Sequence, residues 1–498
     1  MKMKMKMKMK KKVEEKDSGQ NIKHFVLLPI VAAVTLFLWF APHGFYGSLG
    51  EVITVTQQRT VAIFAFAALM WIFEIVPNWV TSLIVIVISL LTISDRGLGF
   101  AMQTADDSLF MSSKELMRAF SDPVVMLFLG GFVLAIAGSK YGMDVQIARA
   151  LLKPFGRKPK FVILGFLCII AVFSMFMSDT ATAAVFLSFL APVLKALPDD
   201  DKGRTGLALA IPLASNIGGI GTPIGTPPNA TAVGVLENNG ISIPFAEWSL
   251  RMIPFVMIMI LVAWFLLRIF FPSGTEEINI VIPKENREKT WRDYVARITF
   301  GLTILLWMTE NLHGLSSSVI ALIPLAVYTA TGVFTKDDIS KINWSILWLV
   351  AGGFALGYAM NDTGLARSLM ESIDFASMKV VSVFAGACLI CYLLSNFISN
   401  SATAALLIPI MVALGKGLLQ SSNAAAFAAS GGQKALAVFV AMCASLAMCL
   451  PISTPSNAMA SSTGLVNTHD MAKVGIIIGV TGILLGFFWV TKIAPFPQ

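Results

Sequence analysis

The stretch 178-SDTATAA-184 stands in the middle of an apolar run, FVILGFLCIIAVFSMFMSDTATAAVFLSFLAPV, and 399-SNSATAA-405 says nearly the same thing inside a second run. Ser, Asp and Thr side by side at bilayer depth are costly unless they meet one another, water or a ligand. The two runs, 161–195 and 379–416, are too long and too interrupted for single crossings. Each is expected to enter and return as a re-entrant hairpin, with its polar centre at a tip buried in protein.

The surroundings fit that reading. The chain has 498 residues, 56% of them hydrophobic and 13% charged, with a mean hydropathy of +0.76. Apolar runs of spanning length recur from about residue 25 onward, so an all-α polytopic membrane protein is expected rather than a soluble enzyme. The net charge of +8 is concentrated in the tail MKMKMKMKMKKK and in short loops. It concerns orientation and lipid headgroups, and no basic stripe with interleaved aromatics points to nucleic acid. Cys168, Cys388, Cys391, Cys443 and Cys449 all sit in apolar segments and read as small buried hydrophobes.

Spans are expected near 25–42, 60–76, 78–94, 124–142, 205–236, 251–272, 298–312, 316–333, 345–361, 434–465 and 473–492, which makes about 11 transmembrane helices beside the two hairpins. With residues 1–24 as a basic cytoplasmic tail, the connections 143–160, 198–204 and 273–297 are cytoplasmic and rich in Lys and Arg. The loop 237-ENNGISIPFAEW-248 is external and has neither. Counting a hairpin as one crossing would spoil this alternation.

The two halves, 60–272 and 298–492, repeat each other in order. 71-WIFEIVPNWVTS-82 matches 307-WMTENLHGLSSS-318, and 130-GGF-132 with Gly142 matches 352-GGF-354 with Gly364. SDTATAA matches SNSATAA, each with a serine four residues upstream, Ser174 and Ser395, and 225-GTPPNA-230 matches 453-STPSNA-458. An odd number of spans per half turns the second copy upside down, the inverted-repeat plan of secondary transporters.

Gly225-Thr226-Pro227-Pro228-Asn229 and Ser453-Thr454-Pro455-Ser456-Asn457 cannot continue a helix, because proline lacks a donor and clashes with the preceding turn. The spans 205–236 and 434–465 are therefore expected to be broken. Freed carbonyl oxygens then face a cation, and the N-terminal end of each following half-helix faces an anion. With each hairpin tip against the broken helix of its own half, two oxygen cages suited to Na⁺ are expected. One takes Ser174, Ser178, Asp179 and the Gly225 backbone; the other takes Ser395, Ser399, Asn400 and the Ser453 backbone. Between them Ser178, Asp179, Thr180, Thr226, Pro227, Ser399, Asn400, Ser401, Thr454 and Pro455 are expected to frame an oxyanion site. Glu74 and Glu310 each stand beside a turn and are read as structural or capping residues.

These residues resemble the divalent anion:sodium symporters, the sodium-coupled carriers of dicarboxylates, citrate and sulfate, over nearly the whole chain after about residue 25. The paired tips, the Thr-Pro breaks and the Trp-x-x-Glu-x-x-Pro signature in WIFEIVP carry the resemblance. It implies a homodimer with scaffold and transport domains working by an elevator-type alternating-access mechanism, two cages holding Na⁺, and tips gripping a carboxylate or sulfate. Asp179 stands where the family has Asn, and Ser401 where it has Thr. Either Na⁺ neutralises the extra carboxylate or a proton does.

The expected function is Na⁺-coupled import of a small divalent anion, a C4-dicarboxylate such as succinate, malate or fumarate, with no organic cofactor, in the plasma or inner membrane. A sodium-independent exchanger of the same fold, or a citrate or sulfate carrier, is the alternative. An enzyme is not expected, since no nucleophile–base pair or metal cluster is visible within the spans.

Overall fold

The computed structural model describes residues 23–42, 45–46, 53–99, 102, 110–194, 197–278, 289–372 and 378–496. The expected tail 1–24 lies outside these but for its last two residues, which open a helical turn at Lys23–Leu27. Among the described residues the secondary structure is helical, apart from an isolated bridge between Ser94 and Met111.

The principal helices run in chain order as follows: α1 (Leu28–Phe40), α2 (Val55–Phe73), α3 (Asn78–Thr92), α4 (Pro123–Lys140), α5 (Met143–Leu152), α6 (Pro159–Ser174), α7 (Asp179–Leu194), α8 (Gly203–Gly219), α9 (Pro227–Glu237) and α10 (Phe245–Phe270). After these come α11 (Trp291–Met308), α12 (Ser317–Ala330), α13 (Trp344–Asp362), α14 (Leu365–Ser372), α15 (Val380–Phe397), α16 (Asn400–Leu419), α17 (Gly432–Leu446), α18 (Pro455–Ser462) and α19 (Thr468–Phe488). Seven described helices are long and apolar enough to cross a membrane, and several shorter apolar ones accompany them. The protein is an all-α polytopic membrane protein.

Each expected hairpin is a pair of antiparallel helices. Phe166 and Phe173 of α6 meet Phe186 of α7 edge-on, at 6.4 and 5.4 Å between ring centroids, so α7 runs back beside α6. The open end of the second hairpin is closed by Asn423, whose amide donates to the Met378 carbonyl at 2.9 Å, which brings α15 and α16 back to one side. Each expected break is also present, between α8 and α9 and between α17 and α18. Thr226 and Thr454 share one extended conformation, φ −140° and ψ 150° against φ −139° and ψ 152°, and each is followed by proline at the first helical position. Proline is tolerated there because the first turn has no internal acceptor for its missing N–H.

The compact units are two. One comprises residues 1–119 and 351–374, the other 120–350 and 375–498. In the first, Gly352 of α13 lies against α3 so closely that a Cβ on it would stand 2.3 Å from the Ser82 Cβ. In the second, Gly130 of α4 lies against α12, and a Cβ there would stand 2.2 Å from the Ala321 carbonyl oxygen. The repeated Gly-Gly-Phe is thus a helix-contact motif: without a side chain, two backbones pack where any other residue would hold them apart.

Within the second unit, loop ends pair in two sets. Ile278 N donates to the Arg157 carbonyl, the Ser273 and Thr275 hydroxyls donate to Asp201, and Lys140 Nζ donates to the Val333 carbonyl. The Phe245 amide donates to Glu310, Asn238 to Asp122, and Arg251 to the Pro495 carbonyl. Helices such as α4 and α10 carry one set at one end and the other set at the opposite end. This is the grouping that the alternation of basic and non-basic loops predicts.

Of the helices named above, two were not expected, α5 and α14, which follow the two Gly-Gly-Phe helices. Their polar residues, Asp144 and Arg149 in one and Arg367 and Glu371 in the other, read as loop in a hydropathy scan. Gly142 and Gly364 turn the chain into them with left-handed φ of 62° and 74°.

Candidate anion and cation site

The first hairpin tip forms where α6 ends and α7 begins. The Ser174 hydroxyl donates to Asp179 Oδ1 at 2.7 Å and also lies 2.7 Å from the Ser215 carbonyl on α8. The second tip repeats this with Ser395, whose hydroxyl reaches Asn400 Oδ1 at 2.8 Å and the Ala444 carbonyl on α17 at 3.1 Å. Ser178 and Ser399 accept from the Ala181 and Ala402 amides, both at 3.3 Å, and so cap α7 and α16. That is the ordinary work of an N-terminal serine. It also aims the first turns of α7 and α16, with their unpaired N–H groups and positive end, out of the tips.

The first tip packs against the break. A Cβ built on Gly219 would stand 2.7 Å from Asp179 Oδ1, 2.6 Å from Thr226 Cγ2 and 3.2 Å from the Gly225 carbonyl oxygen. Asp179 and the backbone at 219–226 therefore pack so closely that only glycine fits at position 219, with Ser174 bonded to the same carboxylate. A carboxylate, a hydroxyl and carbonyl oxygens are hard donors, and that donor set fits Na⁺. In the second half Ser453 meets the hairpin through a different atom, its hydroxyl donating to the Asn396 carbonyl at 3.0 Å.

Asn229 and Asn457, the asparagines of the two break motifs, hold the unwound chain in shape. Asn229 Nδ2 lies 2.9 and 2.8 Å from the Gly219 and Thr222 carbonyls, and Asn457 Nδ2 is 2.9 Å from both the Met448 and Leu450 carbonyls.

The halves also cross over, which pattern reading missed. The return helix of each hairpin packs on the first arm of its own broken helix and on the second arm of the other one: α7 on α8 and α18, α16 on α17 and α9. Asn216 of α8 donates to Thr454 Oγ1 at 3.4 Å and Asn457 Oδ1 at 3.3 Å, while Thr226 Oγ1 is 3.2 Å from Ser445 Oγ of α17. All of these side chains are buried. Asn216 and Ser445 are buried polar residues near the ends of largely apolar helices, and only their near-equivalent places before the two breaks mark them. Pro227 and Pro455 start the second arms. The threonine of the shared Ala-Thr-Ala-Ala in each tip, Thr182 and Thr403, is buried with its hydroxyl unpaired among the described residues. On α7 it stands one turn beyond Asp179.

Thr180 and Ser178 open onto a cavity of about 720 Å³ between α4, α7 and residues 341–343, lined also by Ser139, Lys140, Lys341 and Asn343. Lys140 and Lys341 both donate to Asp338, at 2.5 and 2.7 Å, and Thr335 adds its amide and hydroxyl, each at 2.9 Å. Burial pushes the Asp338 carboxyl up, but these hydrogen bonds outweigh it and hold the group well below the usual carboxylate range.

Residues 68–432 match the citrate transporter family model. The chain belongs to the citrate transporter family. Citrate transporter family members are membrane carriers, so this protein is a transporter and not an enzyme, in agreement with the resemblance drawn from its motifs. An uncharacterized transporter of Schizosaccharomyces pombe is 30% identical over 84% of this chain, which spans only 48% of that relative's length. An uncharacterized transporter of Haemophilus influenzae is 29% identical over 85% of this chain and 89% of its own. A sodium-dependent dicarboxylate transporter of Staphylococcus saprophyticus is 26% identical over 92% of this chain and 89% of its own.

In this citrate transporter family member, Glu310 accepts from the Phe245 and Ser317 amides at 3.1 and 3.2 Å and so caps two helix starts. Glu74 ends α2 in a left-handed turn, φ 45°. The matched tryptophans both staple the turn that follows their helix. Trp71 Nε1 donates to the Asn78 carbonyl at 3.2 Å, and Trp307 Nε1 to that of Ser317 at 2.9 Å.

Proposed function

We propose that the protein is a secondary active carrier that imports a small divalent anion, a C4-dicarboxylate such as succinate, malate or fumarate, together with Na⁺. The observation that carries this reading is the Ser174–Asp179 pair closed against Gly219 and Gly225, with its counterpart at Ser395–Asn400. Hydroxyls and amides at Thr180, Thr226, Ser401, Asn400 and Thr454, with the N-terminal ends of α7, α9, α16 and α18, favour an oxyanion between the tips. Na⁺ at Asp179 offsets the carboxylate that would otherwise repel a dianion, which makes cation binding a condition for anion binding. The similarity to sodium-dependent dicarboxylate transporters at 26% identity supports the same substrate and ion.

The remaining parts of the proposal are a homodimer in the plasma or inner membrane, the N-terminus cytoplasmic, and an elevator-type movement of the site. Inverted halves supply two equivalent end states for such a movement.

A second reading, citrate as the substrate, is favoured by the description of the matching family model. Uptake of labelled succinate into proteoliposomes, with and without an inward Na⁺ gradient and with citrate and sulfate as competitors, separates these. Na⁺-dependent succinate uptake is expected. Net uptake indifferent to Na⁺ would instead identify an exchanger, and stronger competition by citrate than by unlabelled succinate would move the substrate to citrate.

A further inference from the structure

The cavity at the first tip has a second set of polar residues that the tips and cages do not use. Besides Ser178 and Thr180 of the tip, it is lined by Lys341, Asn343, Lys140 and Ser139, with apolar side chains among them. Its lining contains no carboxylate. Asp338 stands behind the two lysines with its side chain 2% exposed, and its oxygens already take Lys140, Lys341 and both groups of Thr335. One carboxylate shared by two ammonium groups leaves the Lys140–Lys341–Asp338 cluster with a net positive charge, while the buried Asp144 is screened from the cavity by Ser139, which donates to it at 2.8 Å. Lys341 is the member free to use it: its side chain is 57% exposed, against 29% for Lys140, whose ammonium also donates to the Val333 carbonyl.

A cleft walled by apolar groups and carrying one sign of charge focuses field and raises the local concentration of the opposite ion. We infer that Lys341, backed by Lys140 and the Asn343 amide, forms a second, weaker anion station at the mouth of this cavity, occupied by the transported dianion on its way to or from the first tip. Asp338 prevents the station from becoming a trap, since it competes with the anion for both lysines. The station serves one side of the membrane only, the side that also carries the 157/278 and 201/273–275 loop pairs.

The inference rests on the carrier reading above, and its test is chosen to fail separately. Initial uptake rates are measured in right-side-out and everted membrane vesicles for the wild type, Lys341→Gln, Lys341→Arg and Lys341→Glu, with succinate, citrate, sulfate and inorganic phosphate as the panel. For the anion carried, Lys341→Gln is expected to raise KM about fivefold in one vesicle orientation and less than about twofold in the other, consistent with the loss of one steering charge. Arg keeps the wild-type value, Glu exceeds Gln, and added salt narrows the gap between wild type and Gln. A KM unchanged in both orientations, or raised equally in both, overturns the station. If the wild type carries no succinate, the dicarboxylate reading falls, and the same comparison is made with whichever anion of the panel it carries.

Discussion

Asp179 and Asn400 occupy matching positions at the two tips and both accept from a serine five residues upstream, at 2.7 and 2.8 Å. The geometry around Asn400 is a control built into the molecule: an amide oxygen serves that hydrogen bond as well as a carboxylate does. Asp179→Asn is therefore expected to fold and to transport. It loses a formal charge beside the Gly219–Gly225 cradle, so half-saturation by Na⁺ should rise about tenfold, equivalent to roughly 1.4 kcal/mol, or the pH dependence of uptake should change. Uptake measured against Na⁺ and pH decides the point, and an unaltered ion dependence removes Asp179 from the cation's ligands. The charge at 179 was legible because the two tips differ there by one letter. The unpaired hydroxyls of Thr182 and Thr403 were not, since buried threonines are common in membrane helices.

Among the elements, the two Gly-Gly-Phe helices make the same kind of contact with different obstacles. A Cβ on Gly352 collides with the Ser82 side chain, whereas one on Gly130 collides with the Ala321 backbone carbonyl. Gly352→Ala is therefore expected to lower stability in detergent by about 1–3 kcal/mol, as overpacking does. Ser82→Gly in the same chain should recover part of that loss, because the colliding atom is gone. Gly130→Ala has no such rescue at position 321. Thermal unfolding of the single and double variants tests this, and strictly additive effects of Gly352→Ala and Ser82→Gly would show that the contact is not the cause. The repeat motif was readable as a repeat, but its purpose was not. α5 and α14 were missed for a related reason: mixed polar and apolar residues after a span look like a loop until the turn at Gly142 or Gly364 shows that a helix starts.

For the whole molecule, the cross-over between halves has the larger consequence. Asn216 in the first half holds Thr454 and Asn457 in the second, and Ser445 in the second meets Thr226 in the first. Removing one partner of a buried hydrogen bond leaves the other unsatisfied, at a cost of about 1–3 kcal/mol. Asn216→Ala should therefore impair the second-half site although it lies more than two hundred residues away in sequence. With Thr454→Val the effects should be non-additive by about 0.5–3 kcal/mol, read as changes in substrate half-saturation. Additivity would mean that the two halves build their walls independently.

The sequence alone determined the helical membrane class, and it marked the paired tips and the two Thr-Pro segments by repetition. Hydropathy, proline chemistry and internal repetition are local properties that survive being read one letter at a time. Only the tertiary structure decided that each return helix crosses to the other half, that the Ser453 hydroxyl reaches the Asn396 carbonyl, and that Lys140, Lys341 and Asp338 gather beside a cavity leading to the first tip. Those contacts join residues up to about 240 positions apart. They depend on which helix faces a neighbour and on how closely glycine lets two backbones approach, and neither leaves a period or a motif in the chain.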